Sequence, residues 1–198
     1  MSNVICIDNG SHTIKAGFGT ENEPRVTLPN IVGTTKHASM LVSDSAHRPK
    51  RILNPHKTSS MASGGEYIGH EAISRRATCH LSQPMIHNNG GGTVNDWHQM
   101  EQVWSHMYEQ ELGVHSEEHP VLLTYHQNQS SNNARTLEHF FELFQVPAMY
   151  IGLQSMYTLL ASGRVNGLVV DMGHTMSSAI PFFVGEYLRH AKTQMEVG

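Results

Sequence analysis

The sequence predicts an α/β protein with a mixed β-sheet and helices on its faces, and two observations indicate this fold class. Apolar strand-like runs alternate with helix-like segments from residue 97 to residue 170, which favours a mainly parallel sheet covered by helices. Residues 3–33 are instead short apolar runs separated by Gly and Pro, a pattern typical of antiparallel hairpins. We therefore expect parallel and antiparallel strands in one fold.

The first half of the chain is predicted to consist mostly of strands and loops. Glycine-rich residues 89–92 predict a flexible spacer, since no Lys-Ser or Lys-Thr follows them to form a phosphate loop. The other predicted segments are strands at 4–7, 14–18 and 25–28, a long surface loop at 43–65 and a short helix within 66–76.

In the second half, helices alternate with strands. Asp96 is the predicted N-cap of the strongest helix, whose buried face carries apolar residues at helical spacing. That face comprises Trp97, Met100, Val103, Trp104, Met107, Tyr108 and Leu112. The segments that follow are strands at 120–124, 148–151, 168–170 and 179–183, with one helix after a polar loop that ends at residue 133 and another at 155–161.

A duplicated motif is the strongest indication of function. Asp8-Asn9-Gly10 and Asp171-Met172-Gly173 each join an apolar strand to a second strand. Glycine lets backbone N–H groups converge on an anion, and an aspartate at a strand end can hold a metal-bound water. Two facing tips could therefore clamp a polyphosphate and its Mg²⁺, which keeps several waters. The alternative is a pair of ordinary turns, because Asp-x-Gly is common in loops.

Composition argues against several classes of protein. The formal charge of −4 and the pI near 6.4 are unlike those of general nucleic-acid or anionic-membrane binders. Cys6 and Cys79 indicate no disulfide framework, and the 15 histidines include no cluster with zinc-site spacing. No signal peptide or membrane-spanning run is present in the sequence. We expect a cytoplasmic or nuclear protein that does not contact a membrane.

Seven ordered blocks resemble the actin and actin-related protein family over most of the chain. The blocks lie at 8–11, 15–18, 29–33, 97–104, 117–124, 147–150 and 161–164. The resemblance implies two similar lobes that flank an ATP cleft, each with one phosphate-binding hairpin. It assigns 1–33 and 67–160 to the first lobe, 34–66 to an extended small-subdomain loop and 161–198 to the beginning of a second lobe.

The resemblance also implies a site for ATP or ADP with Mg²⁺. Asp8 and Asp171 match the two aspartates that hold water around the metal. A lysine suits phosphate as a point charge, and a serine hydroxyl can donate to a phosphate oxygen. The implied phosphate contacts are Gly10, Ser11, Lys15 and Gly173.

Two more residues match functional positions of the family. Gln154 matches the glutamine that positions the attacking water, and the alternative is a helix-capping amide. His87 falls where the family has a phosphate-sensing loop histidine. Both assignments are implied by the resemblance alone.

Departures from the family pattern argue against turnover. His12 stands where the family has glycine, His174-Thr175 where it has Asp-Gly, and Ser178 where it has a water-ordering histidine. A Cβ at a close backbone approach blocks phosphate or forces a strained φ that costs about 1–3 kcal/mol. We therefore expect a degenerate nucleotide site, although a histidine that donates to phosphate would permit binding without hydrolysis.

The long loop and the extent of the resemblance favour protein partners. Arg48, Lys50 and Arg51 lie where actin has a filament-contacting loop, and the greater length here is expected to disturb filament contacts. The basic cluster is a nuclear-import signal, a contact to an acidic surface or a solvated loop. Because the resemblance reaches only about half of an actin, we expect either that the chain is a fragment or that a partner covers the remaining apolar face.

Three hypotheses follow. The preferred one is a structural actin-related subunit of a cytoskeletal assembly, with a cilium or axoneme as the setting that family habits suggest, and without self-polymerisation or nucleic-acid binding. An ATP-hydrolysing, actin-like filament protein is the alternative, supported by Asp8, Lys15, Gln154 and Asp171. A nuclear subunit of a chromatin complex is the third, for which the basic loop is the only indication.

Overall fold

The computed structural model describes residues 3–36, 65–88, 91–125, 130–174 and 176–195. The basic residues Arg48, Lys50 and Arg51, almost all of the predicted loop at 43–65, and Thr175 lie outside these ranges.

Strands outnumber helices in the described part of the chain. The strands are β1 Ile5–Asn9, β2 Thr13–Phe18, β3 Val26–Pro29, β4 Val32–Thr35, β5 Glu66–Ile68, β6 Cys79–Ser82, β7 Met85–Asn88, β8 Gly91–Val94, β9 Val121–Tyr125, β10 Met149–Leu153, β11 Gly167–Met172, β12 Ser177–Phe183, β13 Glu186–Tyr187 and β14 Thr193–Met195. The α-helices are α1 His70–Ser74, α2 Trp97–His106, α3 Ser130–Glu138 and α4 Gln154–Ala161. Two of them continue as π-helical turns, α2 through Met107–Leu112 and α3 through His139–Leu143, and 3₁₀ turns lie at Ser116–Glu118 and Arg189–Ala191.

The largest sheet mixes parallel and antiparallel strands. Its order is β10-β9-β1-β2-β3. Strands β10, β9 and β1 run parallel. Strand β2 pairs antiparallel with β1, and β3 pairs antiparallel with β2 at the edge of the sheet. The predicted α/β fold class with a mixed sheet is therefore confirmed.

A second sheet contains the other hairpin. Strand β11 pairs with β12, whose far side pairs with both β13 and β14. Two smaller units lie between the hairpins in the chain, the sheet β5-β4-β6 and the hairpin β7-β8.

Each large sheet has its own core. Between the first sheet and helix α2, Trp104 is fully buried, with its ring centroid 4.9 Å from that of Phe140. A smaller core lies between α4 and the second sheet, where Leu159 packs with Ile180 and Phe182. The two hairpins thus belong to separate hydrophobic clusters.

The short helix predicted within 66–76 is confirmed at His70–Ser74, where it follows a strand, β5, that pairs with β4. Two other predictions about elements are wrong in detail. Of the residues predicted to form the spacer, Gly91 and Gly92 belong to strand β8, which pairs with β7. The helix expected after residue 133 begins at Ser130.

The predicted N-cap of α2 is confirmed, because Asp96 Oδ1 accepts a hydrogen bond from the Gln99 backbone N–H at 3.0 Å. Asp96→Ala is expected to lower the free energy of unfolding by about 1 kcal/mol, the usual cost of a lost cap. Asp96→Asn keeps a hydrogen-bond acceptor and should lower the free energy of unfolding by at most about a few tenths of a kcal/mol. Urea titrations of the three proteins measure this difference, and equal stability of the alanine and asparagine variants would contradict the capping role.

Candidate functional site

The two predicted hairpins share one geometry. The last paired residues are Asn9 with Ile14 in the first and Met172 with Ser177 in the second, which leaves four residues in each turn, 10–13 and 173–176. Asp8 and Asp171 each lie one residue before these pairs. The duplication seen in the sequence is therefore also present in the register of the strands.

Turn geometry restricts both glycines of the motif, Gly10 more strongly than Gly173. A Cβ on Gly10 would lie 2.5 Å from the Thr13 carbonyl oxygen, and one on Gly173 would lie 3.2 Å from the Met176 oxygen. Neither glycine has a positive φ. Turn sterics thus account for both glycines without a ligand, which agrees with the ordinary-turn interpretation of this part of the motif.

The backbone of the first tip is held by a buried asparagine. Asn30 is fully buried and follows β3. Its side-chain amide donates to the Gly10 carbonyl at 3.0 Å, and its backbone N–H donates to the His12 carbonyl at 2.8 Å. We did not predict this role, because one asparagine after a strand carries no signal of a distant partner.

The core also reaches the first tip. Trp104 Nε1 donates to Asn9 Oδ1 at 3.3 Å, and the Asn9 amide lies 3.8 Å from Met85 Sδ. Asn9 is the middle residue of the Asp-x-Gly motif. The buried face of α2 therefore supports the tip as well as the core.

Asp8 is fixed by a neighbouring strand. Thr124 is its register partner on parallel β9 and donates from Oγ1 to Asp8 Oδ1 at 2.7 Å. Across the hairpin, Asp8 pairs with Lys15, which is exposed. Residues directly opposite in an antiparallel pair lie on the same face of the sheet. A carboxylate and a cation thus lie at the carboxyl edge of the first sheet, and Ser11 is half-buried in the adjacent turn.

Gln154 lies at the same edge as Asp8. It is the first residue of α4 and follows β10 directly, two strand spacings from β1, or about 10 Å. In the described structure no side chain caps the N-terminus of α4, so the capping-amide alternative is not supported. The role of Gln154 in positioning water stays a prediction.

His87 lies in a strand of a hairpin. It belongs to β7 and pairs with Gly92 on β8. At His87, where a sensor loop is expected, the backbone is therefore an extended strand paired with β8.

The second tip differs from the first at the position opposite its aspartate. Asp171 is half-buried and pairs with Ser178, which occupies the place that Lys15 has in the first hairpin. Ser178 is 3% exposed, and its Oγ has no hydrogen-bond partner in the part of the chain that the structure describes. The residue directly across the hairpin from Asp171 is therefore a serine, where the first hairpin has Lys15 across from Asp8.

The two tips meet through histidine rings. The His12 and His174 ring centroids lie 4.5 Å apart with an interplanar angle of 16°, which is a stacked arrangement. Rings at this separation are in contact, so no phosphate group fits between them. Of the two expected effects of a histidine Cβ, blocked phosphate or a strained φ, the second is not found, since the only positive φ values outside glycine in the described ranges are those of Gln145 and Val184. Both tips accommodate the histidine Cβ without backbone strain.

Other chemistry near the tips is limited. Among the described residues, no three His, Cys, Asp or Glu side chains are placed to hold a metal ion together. Burial raises the pKa of the Cys6 thiol on β1, so it stays protonated at neutral pH and is a poor nucleophile.

No helix in the described ranges is long and apolar enough to span a membrane.

The structure thus defines an α/β protein in which an aspartate hairpin at the carboxyl edge of a mixed sheet meets a second such hairpin on another sheet. The family model described as Actin matches residues 1–198, so the chain belongs to the actin family. The resemblance seen in the sequence blocks is thereby confirmed.

Proposed function

We propose that this chain is a divergent structural member of the actin family, a fixed subunit of a cytoskeletal assembly that does not hydrolyse ATP. The observation that carries the proposal is the stacking of His12 on His174 at the place where the two tips face each other. In the cleft implied by the family, that space belongs to phosphate. A chain whose own side chains fill that space is not expected to hydrolyse ATP there.

The residues around the second aspartate support the same proposal. Activation of a water needs a group that orients it and accepts its proton. Ser178, opposite Asp171, supplies a hydroxyl, which is a weak base compared with an imidazole. Asp8, Lys15 and Gln154 preserve the first half of a nucleotide site, so weak binding of ATP or ADP with Mg²⁺ is compatible with this proposal.

An exposed apolar row supports a role within an assembly. Leu168, Val170 and Met172 alternate along β11 and are 62%, 60% and 81% exposed, whereas Val169 between them is buried. Contiguous apolar surface of this kind typically marks an interaction site. We propose that protein partners cover this face, in the cytoplasm or a cilium, with the nucleus as the alternative location because of the basic residues Arg48, Lys50 and Arg51 in the sequence.

The test is a phosphate-release assay on the purified full chain with Mg-ATP, together with sedimentation after salt addition. We expect no release above the buffer rate and no pelleted polymer, because the tips are closed by their own side chains. Gln154→Ala is the matched control and should behave like the wild type. Stoichiometric phosphate release by the wild type that disappears in Gln154→Ala would overturn the proposal in favour of an ATP-hydrolysing filament protein.

A further inference from the structure

We infer that His12 and His174 form a latch, a ring contact that holds the two hairpin tips together without a ligand. An anion that bridged the tips would have to break this contact. The inference rests on the proposed function and adds a specific device to it. In place of a polyphosphate that joins two open tips, the chain uses a direct contact between two side chains. Histidines at tip positions where the family has glycine and aspartate thus give this chain a direct contact between its own tips.

Each ring projects from a backbone that is fixed by other contacts. The His12 carbonyl accepts a hydrogen bond from the buried Asn30 backbone at 2.8 Å. In the other hairpin, the Gly173 N–H donates to the Met176 carbonyl at 2.9 Å, and Met176 is buried. Because both turns are anchored, the stacked geometry follows from how closely the hairpins approach.

The contact joins two units with separate cores. The β1-β2 hairpin contributes Ile7 and Ile14 to the main core, while the β11-β12 hairpin contributes Val169 and Ile180 to the smaller one. Both histidines are solvent-exposed, so the contact adds little to either core. Its stabilising effect therefore falls on the relative position of the hairpins.

The stack also makes closure and anion binding mutually exclusive. A phosphate that bridges the tips needs the space that the rings occupy at 4.5 Å separation. An anion therefore binds only the fraction of molecules in which the latch is open, and its apparent affinity falls by that fraction. The latch is in this sense autoinhibitory.

A double-mutant cycle on the full chain tests the coupling. We expect His12→Ala and His174→Ala each to raise the unfolding equilibrium constant in urea by about two- to tenfold, the range typical of an aromatic pair. The double variant should be no worse than either single variant, because the contact is lost only once. The pair of exposed histidines His80→Ala and His190→Ala is the control and should show no coupling.

A second variant separates the latch from a general loss of folding. His12→Phe with His174→Phe keeps two stacking rings and should retain most of the coupling. Amide hydrogen exchange in residues 10–13 and 173–176 should be faster in the double alanine variant and unchanged in the double phenylalanine variant. Additive alanine effects, or equal exchange in the two double variants, would overturn the latch.

The autoinhibitory part is tested with Mg-ATP as the probe. His12→Ala with His174→Ala removes both rings without adding a charge and should bind Mg-ATP about tenfold more tightly than the wild type in calorimetric titration, because the latch no longer competes. Equal affinity would overturn this part. If the two alanine substitutions have additive effects on stability and the wild type does not hydrolyse ATP, the latch is contradicted and the proposed function is not. If the wild type hydrolyses ATP and the two histidines are coupled, the proposed function is contradicted and the latch is not.

Discussion

Replacing Trp104 by alanine is expected to lower the free energy of unfolding by about 3–5 kcal/mol, the usual cost of removing a fully buried aromatic side chain. Trp104 is fully buried, and its ring lies against Phe140 and Phe144, with centroids 4.9 and 6.2 Å away. Truncation leaves a large cavity between α2 and the first sheet that these neighbours can fill only in part. It also removes the indole N–H that donates to Asn9.

Urea denaturation followed by far-ultraviolet circular dichroism measures this effect. Trp104→Phe is the informative control, because it keeps an apolar ring but removes the donor to Asn9. We expect that variant to lose about 1–3 kcal/mol, from the unsatisfied acceptor and a smaller cavity. An alanine variant within about 1 kcal/mol of the wild type would contradict the packing described for this core.

Gly10→Ala is expected to destabilise the chain by about 1–3 kcal/mol, as overpacking against fixed atoms does. The new Cβ would lie 2.5 Å from the Thr13 carbonyl oxygen, a backbone atom that cannot rotate away. Relief requires the turn to open, which shifts the carbonyls of Gly10 and His12 away from the two Asn30 donors. The first tip should therefore lose order along with stability.

Two other glycines provide a graded control in the same measurement. A Cβ on Gly173 would lie 3.2 Å from a carbonyl oxygen, so Gly173→Ala should cost less than Gly10→Ala. A Cβ on Gly19 would be in ordinary contact at 3.5 Å, and Gly19→Ala should be nearly neutral. Thermal unfolding of the three variants should therefore rank them in this order, and equal melting temperatures would refute the steric explanation.

Local signals in the sequence were sufficient for several elements. The β1-β2 and β11-β12 hairpins and the helix capped by Asp96 were predicted correctly, because each follows from nearby apolar periodicity, turn residues or a capping side chain. Elements that depend on a distant strand were missed. Glu66–Ile68 forms a strand that pairs with β4, and no local pattern predicted it.

The supports of the candidate site could not be predicted in the same way. Thr124 holds the Asp8 carboxylate, and Asn30 holds the first turn, through contacts between residues distant in the sequence. A threonine at a strand end and an asparagine after one are common residues with many local roles. Only the pairing of β9 with β1, and of β3 with β2, brings them to the tip.

The sequence by itself determined the family, the mixed α/β fold and the duplicated aspartate hairpins, since all three are encoded in ordered blocks and short-range patterns. It also identified His12 and His174 as departures from the family pattern. Only the tertiary structure decided what these histidines do. Ring stacking depends on the distance and angle between two tips on different sheets with separate cores, and no local sequence pattern specifies either quantity.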